Sequence, residues 1–271
     1  MNAKDALIYI VLAIFAFGMI LPIWAAVTTS LKTSYEVATT SPLSFPVRPT
    51  LEAYKIAFDS LVHPYVNSIL MTLGGVLGSV FLGSICGFFF SKIKFRHSDL
   101  VFFVLAIGSF IPYQSILVPL YTTVINLHMY STVQGLILAH TAYGIPMCAI
   151  LFRNFYAAVP DELIDAAKVD GAGTWRIYFD VLLPVTLLSI VIVVVFQFTS
   201  IWNEFLFGLV LGGGETQAMP ATVALNNLKG SLVAQWNVQM AGALLVALPV
   251  LLLYIFLGKY LIKGYMSGAI K

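Results

Sequence analysis

The sequence predicts an all-α, polytopic membrane protein with six transmembrane helices. Composition and one pattern lead there. Of the 271 residues 60% are hydrophobic and only 10% charged, against about 25% charged in a typical soluble domain. The mean hydropathy is +0.94. The apolar residues gather in six stretches of roughly 20, the length a helix needs to cross bilayer hydrocarbon, near 6–27, 66–91, 100–125, 132–152, 184–203 and 238–259. Between the fourth and fifth lies a polar hook, 160–184.

The first stretch has an apolar run longer than the roughly 7–15 residues of a signal-peptide core, and Lys4 is the only basic residue upstream, so it reads as a retained anchor. The next loop, 28–64, carries Pro42, Pro46, Pro49 and Pro64; Leu51, Tyr54, Ile56, Ala57 and Phe58 within it predict a short surface helix. Span two carries Gly75, Ser79, Gly83 and Gly87 at four-residue spacing. Small residues in such a row let helix backbones approach closely in lipid, here by packing within the chain rather than between copies. Lys92 to Asp99 is a tight basic loop. Pro112 and Pro119 in span three, Pro146 in span four and Pro249 in span six free carbonyls and predict bends. Cys86 and Cys148 sit in apolar stretches and read as small buried hydrophobes. His63, His97 and His128 have no metal-ligand spacing.

Orientation follows from the basic residues, which concentrate on the cytoplasmic side of membrane proteins. With the N-terminus inside, 10 of the 14 Lys and Arg residues fall on inner segments and 4 on outer ones. Both termini and the hook are then cytoplasmic.

The hook carries eight of the 26 charged residues between Arg153 and Asp180. Pro160 suits a first helical position, where its missing N–H has no partner in any case. Asp161 and Glu162 favour the positive end of the helix dipole. Leu163, Ala166, Ala167 and Asp170 recur at i, i+3, i+4 and i+7, one face of a helix with small side chains. Gly171 supplies the left-handed residue that ends it. Gly173 and Thr174 offer a hinge and an N-cap for a second helix, which Pro184 kinks. Periodicity alone also fits an ordinary amphipathic helix; the order of residues distinguishes the two.

Asp165-Ala166-Ala167, Asp170-Gly171-Ala172, Phe179 and Leu183-Pro184 resemble the EAA signature of ATP-binding-cassette importer permeases, with Asp165 where that family usually has Glu. The resemblance extends to Ile111-Pro112 through Pro119-Leu120, to Trp202-Asn203-Glu204-Phe205 and to the terminal Ser267-Gly268-Ala269-Ile270-Lys271, in the manner of the MalG-type carbohydrate permeases. It implies a type I ABC importer permease fold, in three segments: 1–64 with the first span and outer loop, a permease domain over 65–259 whose coupling-helix loop is 153–184, and a cytoplasmic tail, 260–271. It also implies that Glu162, Asp165, Ala166, Ala167, Asp170, Gly171 and Ala172 contact a separate ATPase. The partners implied are two nucleotide-binding subunits, a second permease subunit in a heterodimer and an extracytoplasmic sugar-binding protein. Gly212, Gly213 and Gly214 open a loop, 212–227, that the resemblance places against that binding protein. ATP and Mg belong to the partner subunits; no cofactor, metal or catalytic residue is expected on this chain.

No Asp, Glu, Lys or Arg lies well inside any of the six stretches. A proton- or sodium-coupled carrier usually places an ionisable residue there, so the energy is expected from outside the membrane. Neutral groups are present instead, and amides and hydroxyls beside aromatics suit an uncharged ligand rich in hydroxyls. Tyr113, Gln114, Gln197 and Asn203 are the candidates for the substrate pathway; helix bridging is the alternative for each. His140 reads as a helix-bridging group, since no carboxylate neighbours it in sequence. The competing readings are a stand-alone secondary carrier or channel, which leaves the hook without a purpose, and an intramembrane serine protease, for which Gly78-Ser79 and Gly83-Ser84 lack the nucleophile pattern.

Overall fold

Helices account for all regular secondary structure among the described residues. The computed structural model describes residues 3–93, 95–213, 218–229 and 235–269, without side chains at 3, 4, 6 and 261–269. Along the chain run α1 (Ala3–Ser30), α2 (Ser34–Thr39), α3 (Glu52–Lys92), α4 (Ser98–Ser109), a 3₁₀ turn (Tyr113–Ile116), α5 (Leu117–Asn126), α6 (Val133–Ala157) and α7 (Asp161–Val169). They are followed by α8 (Thr174–Arg176), a π-helical turn (Ile177–Leu182), α9 (Leu183–Val185), α10 (Leu187–Trp202), α11 (Leu206–Leu211), α12 (Ala221–Asn227) and α13 (Trp236–Ala269).

Among the described residues four helices are long and apolar enough to cross a membrane unbroken: Leu7–Ser30, Glu52–Lys92, Val133–Ala157 and Trp236–Tyr260. The other two expected spans are broken. Ser98–Ser109 and Tyr113–Asn126 meet at 93°, and Thr174–Val185 and Leu187–Trp202 at 82°; with each pair counted as one span there are six.

Proline explains where they break, though not every proline breaks a helix. Ile111 precedes Pro112, and a residue before proline is pushed out of the α region, so α4 ends ahead of it. Pro184 cannot donate to the ladder and its ring crowds the carbonyl four residues back. The preceding turn widens to π geometry over Ile177–Leu182, and the break follows at Thr186, whose φ is −111° and whose hydroxyl bonds the Leu182 carbonyl at 2.7 Å. Pro22, Pro64, Pro146 and Pro249 instead lie inside continuous helices. The surface helix expected near Leu51–Phe58 is therefore the start of α3, and α13 runs to Ala269 through the stretch assigned to a tail.

The chain packs as two units, one of residues 1–65 and 221–248, the other of 66–220 and 249–271. By packing, 221–248 joins the N-terminal segment instead of the remainder of 65–259. In the first unit the loop after α1 is pinned by two buried charges. The Lys32 ammonium donates to Thr40 Oγ1 at 3.0 Å, Ser41 O at 2.7 Å and Ser44 Oγ at 3.0 Å. The Glu36 carboxylate accepts from the N–H groups of Thr33 at 3.2 Å, Val47 at 2.7 Å and Arg48 at 3.1 Å, and Thr33 with Glu36 forms a capping box at α2. Asn237 Nδ2 donates to Lys32 O at 3.1 Å.

In the second unit the glycine row of α3 packs against α6, within the chain. A Cβ on Gly83 would overlap that of Cys148, and one on Gly87 would lie 2.5 Å from Phe152 Cβ and 2.9 Å from Arg153 N. Gly83→Leu is expected to destabilise the solubilised protein by on the order of 3 kcal/mol, the cost of overpacking, and so to lower its Tm. Gly108→Leu, where a Cβ meets nothing within 4 Å, should not lower it. The hydrogen bond from Thr33 N–H, with those from Arg48 and Val47, holds the Glu36 carboxyl below its usual range. A depressed carboxylate contributes stability above its unfolded pKa and loses it as pH falls through the folded one. Protection of residues 33–48 from hydrogen exchange, relative to the intrinsic rate at each pH, is therefore expected to be high at pH 7, to fall as pH drops below the normal carboxylate range, and to be low at every pH in Glu36→Ala.

Candidate functional site

The hook is a short helix locked at both ends. Pro160 is its N-cap, one residue earlier than the sequence predicts, and Asp161 is the first helical residue. Asp161 Oδ1 pairs with Lys92 Nζ at 2.5 Å, and the same ammonium donates to Val159 O at 2.6 Å, which ties the hook to the end of α3. At the other end Gly171 has φ +80°. Its N–H donates to Lys168 O at 3.0 Å and that of Ala172 to Ala167 O at 2.9 Å, the paired bonds of a Schellman motif. Gly173, not Thr174, is the N-cap of α8, and no side chain caps it.

Burial divides the predicted face. Ile164, 2% exposed, is the anchor, and Ala167 and Ala172 pack on the core beside it. Leu163, Ala166 and Asp170 are exposed, with Glu162 and Asp165. Val169 is 88% exposed, and Trp175 and Phe179 are about half exposed. Asp165 pairs along the helix with Lys168 at 2.8 Å. An exposed apolar strip rimmed by acidic residues is what a protein partner's groove would cover.

Beneath the strip lies a floor that sequence reading missed. Ser84 Oγ on α3 bonds Tyr156 OH on α6 at 2.5 Å and Tyr178 OH in the π turn at 2.7 Å. Phe152 stacks on Tyr156 at 5.3 Å, and Phe88 lies 5.2 Å from Tyr178. All four rings are buried. The only sequence signal was two tyrosines flanking a polar segment, with a serine beside Gly83 in the small-residue row.

A second cluster sits where the broken spans meet α6. Tyr113 makes edge-on contacts with Tyr143 at 6.1 Å and Phe207 at 5.7 Å, and His140 lies 5.3 Å from Phe207. Glu204 Oε2 accepts from Phe207 N at 2.8 Å, capping α11, and stands 4.0 Å from His140 Nε2. A carboxylate therefore does neighbour His140, which sequence spacing concealed. The apolar run after Phe205 forms α11 against the start of α6 instead of leaving as a loop, and this buries Glu204. Gln197 is buried, its amide against Gly144, and makes no hydrogen bond to a described group. Gln114 and Asn203 are exposed; Asn203 Nδ2 bonds the Thr199 carbonyl at 3.0 Å. The four pathway candidates make no hydrogen bond or ring contact with one another; Gln197 is buried and Tyr113 half-buried.

In the stretch 212–227, Gly212 ends α11 and Gly213 has φ +77°, while Gly214 lies outside the described residues. The rest is not all loop: α12 buries Ala221, Val223 and Ala224.

Residues 79–266 match the model of the family described as binding-protein-dependent transport system inner membrane component. The chain belongs to that family. It is a multi-pass membrane permease component. A probable ABC transporter permease protein of Pyrococcus horikoshii is 52% identical over 266 residues, covering 98% of this chain and 96% of that one. The xylose/arabinose import permease XacI of Haloferax volcanii is 31% identical, covering 99% and 94%. The fold is similar to a crystal structure of a bacterial ABC transporter involved in the import of the acidic polysaccharide alginate, with TM-score 0.80, 20% identity and coverage of 96% and 98%.

Ser84→Ala removes the partner that both buried phenols share, at about 1–3 kcal/mol for a buried group left unsatisfied. It is expected to lower the Tm and speed hydrogen exchange in 174–182. Ser84→Thr, which keeps the hydroxyl, should recover most of the loss.

Proposed function

We propose that this chain is the membrane subunit of an ATP-driven importer of neutral sugars, and that the hook 160–184 transmits the work of separate ATPase subunits. The observation that carries this is the exposed strip of Leu163, Ala166 and Val169, on a helix tied to Lys92 at its start, closed by the Gly171 turn at its end and seated on Ile164. Such a helix moves as a rigid lever. A push on it reaches the π turn through Ile177 and Tyr178, and α10 through the bend at Thr186. Alternation between inward- and outward-open states then changes the angle between α9 and α10.

Substrate class rests on relatives. The Haloferax volcanii protein is named for xylose and arabinose, and a Saccharolobus solfataricus permease, GlcU, 29% identical over 272 residues, for glucose import. The cluster of Tyr113, Tyr143, His140 and Gln197 fits such ligands: aromatic faces for sugar rings and an amide without an internal partner. Two nucleotide-binding subunits carrying ATP and Mg, a second permease and an extracytoplasmic binding protein complete the transporter. The hook and both termini face the cytoplasm.

Val169→Asp with Leu163→Asp is expected to abolish co-purification of the ATPase and sugar uptake, while the permease still inserts and keeps its Tm. Uptake that survives deletion of 161–172 would defeat the proposal. One observation favours a second reading: the buried His140–Glu204 neighbours are the kind of ionisable pair a proton-coupled carrier uses. Sugar accumulation by the purified chain in liposomes, driven by a pH gradient without ATP or partners, would decide for that alternative.

A further inference from the structure

The first unit contains a pocket that the lever mechanism does not use. A cavity of about 200 Å³ is lined by Thr29, Lys32, Val37, Thr40, Pro42 and Trp236. Lys32 is 1% exposed and Thr29 7% exposed. The three ammonium protons of Lys32 all go to neutral oxygens, and no described carboxylate lies within 4 Å of Nζ. Glu36, on the neighbouring α2, is engaged by the N–H groups of Thr33, Val47 and Arg48. The carbonyl end of α1 adds a favourable dipole but no formal charge. The Thr29 hydroxyl makes no hydrogen bond to a described group. A buried cation matched only by dipoles, beside an idle hydroxyl, is a site that lacks its anion.

We propose that this pocket is a carboxylate site, and that its occupant is an acidic side chain of the extracytoplasmic binding protein. Val37, Pro42 and the half-exposed ring of Trp236 form apolar walls suited to an aliphatic stem. At the floor Thr29 can donate a hydrogen bond and Lys32 supplies the countercharge. A neutral sugar could stack on Trp236 but would leave the ammonium uncompensated. The cavity volume admits one side chain, not a second helix. This inference rests on the importer reading and on its orientation, which puts the loop after α1 outside the cell.

The test uses the assembled transporter in liposomes and its purified binding protein, with ATPase stimulation as the readout. Replacing Lys32 risks the loop it ties together, so Thr29→Val and Trp236→Ala carry the experiment. Each is expected to raise the binding-protein concentration for half-maximal stimulation about tenfold, with the maximal rate unchanged, and Thr29→Ser to behave as wild type. A photoreactive phenylalanine at 236 should cross-link to a binding-protein peptide containing Asp or Glu. Half-maximal concentrations within twofold of wild type, or cross-links confined to lipid or to this chain, would overturn the pocket assignment and leave the importer reading intact. A wild-type complex that no binding protein stimulates would instead remove the importer reading and the assignment with it.

Discussion

The hydroxyl of Ser84 is the point on which the second unit turns. It joins Tyr156 on α6 and Tyr178 in the π turn to α3, so three segments far apart in sequence share one buried polar contact. In an apolar surrounding, an unmet phenol costs more than a met one gains, and that asymmetry fixes which residues face one another. Phe152 stacks on Tyr156 and Phe88 tilts against Tyr178 beside it. Any displacement of the hook relative to α3 and α6 must carry this cluster along or break it.

The two sharp bends give that displacement somewhere to go. A continuous helix resists bending because every internal carbonyl has its donor. Pro184 removes one donor, the π turn redistributes the rest, and Thr186 closes the gap with its own hydroxyl. The hook side of the bend is rigid and anchored. The far side, α10, carries Gln197 and leads to Glu204, beside His140 and the ring cluster of Tyr113, Tyr143 and Phe207. Hook and polar cluster are thus the two ends of one bent element, in a chain that belongs to the transport-system family.

Much of this was legible beforehand, for local reasons. Six apolar stretches, the glycine row, the first-turn carboxylates Asp161 and Glu162 and the left-handed Gly171 all follow from interactions within a few residues or from the thickness of a membrane. Prolines were less informative: Pro112 and Pro184 mark breaks, but Pro64 and Pro146 sit inside continuous helices. Gln114 and Asn203 are exposed in the single chain, and the helix face on which such residues lie is set by helix rotation, which composition does not fix.

What the chain alone determined is its medium and its local punctuation: residence in lipid, the number of crossings, and a capped polar lever between two of them. Only the tertiary structure decided the partners of buried polar groups. Ser84 with Tyr178 and His140 with Glu204 are separated by tens of residues, and no periodicity couples positions that meet only after helices pack. Desolvation made those choices, because each polar group drawn out of water had to find its complement among whatever side chains packing placed beside it.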